Sequence, residues 1–77
     1  MRIRIAAFDA PLTLQFEPSG MEYDLSPGEH MCVAWPPVGD PGAVTGDIEY
    51  APGLVTVSAR GTGYVRAWNA DGVEVTT

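Results

Sequence analysis

The sequence predicts an all-β fold, a small antiparallel β-sandwich or barrel of about six to eight short strands. Apolar and polar residues alternate in short runs along the whole chain, a Gly or Pro cluster closes each run, and no stretch keeps a helical period. A chain of 77 residues has material for one core, because a domain this small buries only about 60% of its unfolded surface. We therefore expect a single domain over residues 1–77.

Four runs in the first half of the chain alternate as half-buried strands do. Ile3 and Ile5 share one face of the first run, and Arg2 and Arg4 share the other. The Ser-Pro-Gly-Glu segment at residues 26–29 has Pro and Gly at the central positions of a type II turn. The later runs of this half are residues 12–17, 21–25 and 30–35.

A loop rich in proline and glycine, residues 36–42, divides the chain, and four further runs follow it. Ile48 and Tyr50 alternate with Asp47 and Glu49, which predicts a half-buried strand. Turn residues separate this run from the last three, at residues 55–59, 64–69 and 73–76. Neither half could bury a core alone, so the loop lies within one domain.

The charge balance restricts the class of partner. The chain has ten acidic residues, four arginines and no lysine, which give a net charge of −6. Direct nucleic-acid binding is not expected, because phosphates require a basic footprint. The acids are scattered along the sequence, which favours a solvated surface. The alternative is an acidic face that binds a basic partner, as an inhibitor or immunity-type protein would.

The sequence also indicates a cytoplasmic location. No apolar run approaches the roughly 18 residues of a membrane span, and the N-terminal residues alternate like a strand and lack a signal-peptide core. The single cysteine, Cys32, cannot form an intrachain disulfide, which fits a reducing compartment.

One segment carries a family resemblance. Residues 17–29, Glu-Pro-Ser-Gly-Met-Glu-Tyr-Asp-Leu-Ser-Pro-Gly-Glu, resemble short bacterial proteins built around a Glu-Pro-x-Gly-x-x-Tyr-x-Leu-x-Pro-Gly-Glu core. Those proteins often have an aromatic residue after the first proline, where this chain has Ser19. No activity is attached to that group, so the resemblance implies none here.

His30 and Cys32 are the chain's only histidine and only cysteine, and in a strand they point to the same face. Structural zinc needs four ligands and a blue-copper site needs a second histidine, so we expect no metal site. A cysteine nucleophile would need the imidazole at the sulfur and an orienting carboxylate such as Asp47 or Glu49. We interpret Cys32 as a packed residue and His30 as a surface group, and expect no catalytic residue, no cofactor and no enzyme activity.

The candidate interaction residues are Trp35, Tyr64, Arg66 and Trp68. Trp35 adjoins the proline-rich loop, and the other three share one face of a strand whose second face is also apolar. Such a strand either lies between two layers or uses one face against a partner, and Trp, Tyr and Arg are enriched at binding hot spots. We therefore predict a non-catalytic protein-interaction or assembly module. The alternative from another class is a small-ligand or carbohydrate-binding domain that stacks a sugar on Trp35 or Trp68.

We further expect a homo-oligomer. The core of so small a domain stabilises it only slightly, and neither a disulfide nor a metal adds to it. A second subunit would cover an exposed edge strand or the aromatic face. The predicted contact includes Trp68 or Trp35, avoids the acidic faces and strengthens as salt screens the repulsion between copies.

Overall fold

A computed structural model describes residues 1–37, 39–40, 42–61 and 63–77, and it confirms the all-β class. Eight strands form two four-stranded sheets, with the strand orders β1-β4-β7-β8 and β3-β2-β6-β5. The strand bounds are β1 Arg2–Ala6, β2 Leu12–Glu17, β3 Met21–Leu25, β4 His30–Ala34, β5 Gly46–Ala51, β6 Leu54–Ala59, β7 Arg66–Trp68 and β8 Glu74–Val75.

The inner faces of the two sheets pack into one core, which makes the fold a sandwich. Alternation places Leu14 and Phe16 of β2 on the core face, and both are fully buried. The remaining buried residues come from both sheets and their connections: Ala7, Leu25, Met31, Val33, Trp35, Val55, Val57, Val65 and Ala67. Residues from β4 and β7 thus meet residues from β2 and β6 across the layer.

One strand pair departs from the predicted antiparallel arrangement. β2 and β6 are parallel neighbours, with Leu14 beside Val55 and Phe16 beside Val57. A short hairpin forces antiparallel pairing only on consecutive strands. Three strands lie between β2 and β6 in the chain, so their relative direction is not constrained in this way.

Two Pro-Gly turns predicted from the sequence are present: one connects the two sheets, and the other connects neighbouring strands of one sheet. Gly28 has a φ of 90°, and the Glu29 N–H donates to the Ser26 carbonyl at 2.9 Å, as a type II turn requires. This turn carries the chain from β3 in one sheet to β4 in the other. Pro52-Gly53, with Gly53 at a φ of 75°, instead joins β5 to its neighbour β6 as a two-residue hairpin.

Three strands differ from the prediction, among them β8, which covers only Glu74–Val75 of the predicted 73–76. Ile48 and Tyr50 of β5 are 48% and 75% exposed, where we expected half-buried residues, because β5 is the edge strand of its sheet. β7 covers three residues of the predicted 64–69, since its partner β4 ends at Ala34, before Pro36 and Pro37. The 36–42 loop and the 61–63 turn include Val38, Pro41 and Thr62, which lie outside the described residues.

The edge strands β1 and β5 lie on the same side of the sandwich and run in the same direction. Their N-terminal ends meet at Trp35, whose N–H donates to the Met1 carbonyl and whose indole packs on Gly46. Towards their C-terminal ends, Ile5 and Tyr50 line one pocket of about 300 Å³. We call this side, bounded by β1 and β5, the open side.

The opposite side, bounded by β3 and β8, is closed by hydrogen bonds between the sheets. The Tyr23 hydroxyl on β3 donates to the Thr76 carbonyl, and the Ser19 hydroxyl donates to the Thr77 carbonyl. The Thr77 hydroxyl donates in turn to the Val65 carbonyl at 2.6 Å. The C-terminal residues thereby connect the two layers, and we call this side the closed side.

Candidate binding face

The outer face of the β1-β4-β7-β8 sheet collects the cationic side chains of an acidic protein. Arg2 and Arg66 flank Ala34 in the register, while Arg4 and Trp68 flank Cys32. Three of the four arginines therefore lie on this one face, against a single acid, Glu74 of β8. The face has a net charge of +2 on a protein of −6. We call it the arginine face.

All four predicted interaction residues line one pocket at the N-terminal end of β7. The pocket has a volume of about 330 Å³, and its walls are the residues Ala34, Trp35, Pro36, Pro37, Gly63, Tyr64, Arg66 and Trp68. Most of these are apolar or aromatic, with the Arg66 guanidinium as the charged group. A pocket of this size is at the small end of ligand sites.

Trp35 is buried, whereas the sequence predicted that it lies at a contact surface. It is 4% exposed, and its indole N–H donates to the Ser58 carbonyl of the opposite sheet at 2.9 Å. A side-chain carbon at Gly46 would overlap that indole, so the approach of β5 to Trp35 requires glycine. Trp35 is a core residue that also forms part of the pocket wall.

The other three residues share one face, as the alternation predicted. Val65 and Ala67 are 4% and 0% exposed and face the core, whereas Tyr64 is 69% exposed and Arg66 is exposed. The strand therefore does not lie between two layers. One of its faces packs in the core, and the other is open to solvent.

Trp68 lies among guanidinium groups. The Arg2 guanidinium carbon is 4.3 Å from the centre of the Trp68 ring, and that of Arg66 is 5.1 Å away. Both are within cation–π range. Because these cations occupy the surroundings of the half-buried ring, a sugar would have to displace them to stack on it.

Arg66 is held in place by Glu74. Its guanidinium donates two hydrogen bonds to the carboxylate, at 2.9 and 2.7 Å, in the bidentate geometry that favours this pair. These hydrogen bonds lower the pKa of Glu74 and raise the pKa of Arg66. Arg2 and Arg4 form no ion pair with any described residue.

His30 and Cys32 lie on the arginine face, on the same side of β4 as predicted. Both are half-buried, and Cys32 lies between Arg4 and Trp68 in the strand register, on the outer surface and not in the core. Within the described residues, no group of three or more potential metal ligands comes together.

The outer face of the second sheet has the opposite charge. Strand register and alternation bring together five acids that are scattered in the sequence: Glu17, Glu22, Asp24, Asp47 and Glu49. Among them, Asp47 accepts two hydrogen bonds from Arg60 at 3.2 Å. We call this surface the acidic face.

The alternation in the first strand did not predict that Arg2 and Arg4 would lie on the same face as Arg66 and Trp68. The signal present was their position opposite Ile3 and Ile5 in the first strand. That pattern shows which side they point to, but not that β4 places β7 within reach. The resulting contact between Arg2 and Trp68 joins residues that are 66 positions apart in the chain.

No protein-family model, curated protein or solved structure matches this chain. The described residues contain no helical segment with the length and hydropathy of a membrane span.

Proposed function

We propose that this chain is a non-catalytic protein-interaction module that binds a partner through the arginine face. The observation that carries the proposal is the convergence of Trp35, Tyr64, Arg66 and Trp68 on one pocket. Aromatic and arginine residues around a small concavity are the composition of interface hot spots.

The chemistry of the pocket indicates what part of a partner it accepts. Its apolar walls suit one aliphatic or aromatic side chain, and about 330 Å³ leaves little room for more. The Arg2 guanidinium next to Trp68 forms no ion pair with any described residue and attracts a carboxylate. The proposed ligand is therefore a protein segment with an apolar side chain beside an acidic one.

Peptide display tests this proposal. A random peptide library is selected on the wild-type chain, and binding of the enriched peptides is then measured for Trp68→Ala and Tyr64→Ala. Each substitution should raise the dissociation constant about tenfold or more, as hot-spot truncations do. Tyr64→Ala matters because Tyr64 is 69% exposed and its loss should leave the fold intact.

Thr56→Ala, on the outer face of the other sheet, is the matched control and should bind as the wild type does. Enriched peptides without an apolar–acidic pair, or equal binding by both pocket variants, would contradict the proposal. A glycan array with the same variants tests the carbohydrate alternative. Trp35 is buried, so only Trp68 is left as a ring on which a sugar could stack.

The acidic face supports a second candidate, binding of a basic partner. Five acids lie on this one sheet surface, and four of them form no ion pair among the described residues, so the surface has a negative charge that suits a basic partner. Affinity purification at low and high salt separates the candidates, because a partner held by this face is lost at high salt. Glu22→Gln with Asp24→Asn should then abolish its capture and leave the peptide binding unchanged.

For location, we propose the cytoplasm. The support is Cys32, a lone thiol that suits a reducing compartment.

A further inference from the structure

The open side exposes apolar side chains that belong to the core face of the sheet. Ile48 and Tyr50 are register partners of Val57 and Val55, which are buried, so their side chains point to the inner face. They are nevertheless 48% and 75% exposed, and Phe8 at the end of β1 is 90% exposed. The core is therefore incomplete at this side.

Alternate backbone groups of β1 have no partner among the described strands at this side, because β1 is an edge strand. The Met1 carbonyl and the Ala7 N–H and carbonyl bond to the β4 side of the sheet. Because bonding direction alternates along a strand, the odd-numbered residues of β1 bond to β4. The N–H and carbonyl groups of Arg2, Arg4 and Ala6 point outward.

The same alternation applies to β5. The Thr45 carbonyl accepts from the Arg60 N–H, so the odd-numbered residues bond to β6. The N–H and carbonyl groups of Gly46, Ile48 and Tyr50 therefore point outward. Both edges of the open side are ready to accept another strand.

We propose that two copies of this chain join at their open sides, with β1 of each copy pairing in parallel with β5 of the other. The symmetry is a two-fold axis that runs along the strand direction. β1 and β5 run in the same direction with their ends level, so this axis forms both junctions at once. The junction between the two copies is separate from the pocket of the arginine face.

The register of this junction satisfies the backbone and the side chains together. In a parallel ladder, a residue with outward groups lies opposite a residue whose groups point the other way. Arg4 opposite Glu49 of the second copy fulfils this, and both side chains lie on outer faces. Ile3 then lies beside Ile48, and Ile5 beside Tyr50, on the core side. Antiparallel pairing would set Arg4 opposite Ile48, on opposite faces of the sheet, which pleating forbids.

Charge selects this junction over the two alternatives. Joining β1 to β1 would bring Arg4 against arginine, and joining β5 to β5 would bring Glu49 against the acids of the other copy. Joining β1 to β5 pairs Arg4 with Glu49, neither of which has an ion-pair partner among the described residues. The dimer would be two continuous eight-stranded sheets with Ile48 and Tyr50 covered.

Charge reversal tests the proposal. Arg4→Glu and Glu49→Arg should each raise the dimer dissociation constant about tenfold or more, because each dimer contains the pair twice. An equimolar mixture of the two variants should recover dimerisation, since both junctions of the mixed dimer again join opposite charges. Sedimentation velocity in physiological salt, where screening acts over about 8 Å, measures all three.

Glu22→Arg makes the same charge change on β3, the other edge of the sheet, and should leave the dimer unaffected. Circular dichroism confirms that the variants fold. Hydrogen exchange gives an independent readout: the Arg4 and Ile48 amides should gain protection as concentration rises. A wild-type monomer at about 1 mM, a single variant that dimerises like the wild type, or a mixture that stays monomeric would overturn the proposal.

Discussion

At the scale of single residues, close packing restricts which side chains a position can hold, and Gly46 is the clearest case. Gly46 is not in a left-handed conformation, yet it has no room for a side chain. The Trp35 indole and the Ser58 carbonyl occupy the space into which a Cβ would project. Trp35 in turn ties the two sheets together through its hydrogen bond to Ser58.

We predict that Gly46→Ala destabilises the protein by about 1–3 kcal/mol, the usual cost of forcing an extra methyl group into a packed site. Urea unfolding measures the change. Gly39→Ala is the matched control, because no described atom lies within 4 Å of a Cβ at that position, and it should stay within about 0.5 kcal/mol of the wild type. Equal stability of both variants would show that Trp35 moves aside without cost.

A second residue-scale prediction concerns how the ion pair of Glu74 with Arg66 makes the stability of the protein depend on pH. The lowered pKa of Glu74 means that the unfolded chain binds its proton first as pH falls. The contribution of the pair is present above the ordinary glutamate pKa and disappears as pH falls through the lowered value. The stability difference between wild type and Glu74→Gln should therefore be largest near neutral pH and shrink below about pH 4.

Thermal unfolding between about pH 3 and pH 7 measures that difference. Glu22→Gln removes an acid that forms no ion pair with any described residue, so its curve should not show the same trend. A Glu74→Gln difference that does not change with pH would contradict the prediction.

At the scale of elements, the two sides of the sandwich are held in different ways. On the closed side, Tyr23 of β3 reaches across to the Thr76 carbonyl, and its ring packs edge-on against Phe16 at 6.1 Å between ring centres. On the open side, β5 contributes exposed apolar residues and no such connection among the described residues. The two edges of one sheet thus face different surroundings.

Removing that connection should weaken the closed side alone. Tyr23→Phe keeps the aromatic packing and deletes one hydrogen bond, which should cost about 0.5–1.5 kcal/mol in the free energy of unfolding. Tyr50→Phe is the control, since Tyr50 is 75% exposed and its hydroxyl bonds to no described residue. Measurement at low protein concentration keeps association out of the comparison. An equal effect of both substitutions would show that the Tyr23 hydrogen bond adds nothing.

At the scale of the whole molecule, the fold sorts charges that the sequence mixes. Acids and arginines alternate with apolar residues along the chain without any block of one sign. The register then places three arginines on the outer face of one sheet and five acids on that of the other. A scattered acidic sequence thereby becomes a molecule whose two outer sheet faces have opposite sign.

The sequence by itself determined the all-β class, most strand positions and the turns, because these depend on local chemistry. Alternation in Leu12–Glu17 predicts a half-buried strand wherever that strand is placed, and Pro27-Gly28 favours a turn in any fold. It also predicted which face of β7 carries Arg66 and Trp68.

Only the tertiary structure decided the sheet order, the parallel pairing of β2 with β6, and the exposure of Ile48 and Tyr50. These depend on contacts between residues far apart in the chain, for which alternation carries no signal. The same Pro-Gly chemistry makes a hairpin at Gly53 and a crossing between sheets at Gly28. The difference arises because a strand joins whichever neighbour allows its apolar face to reach the common core.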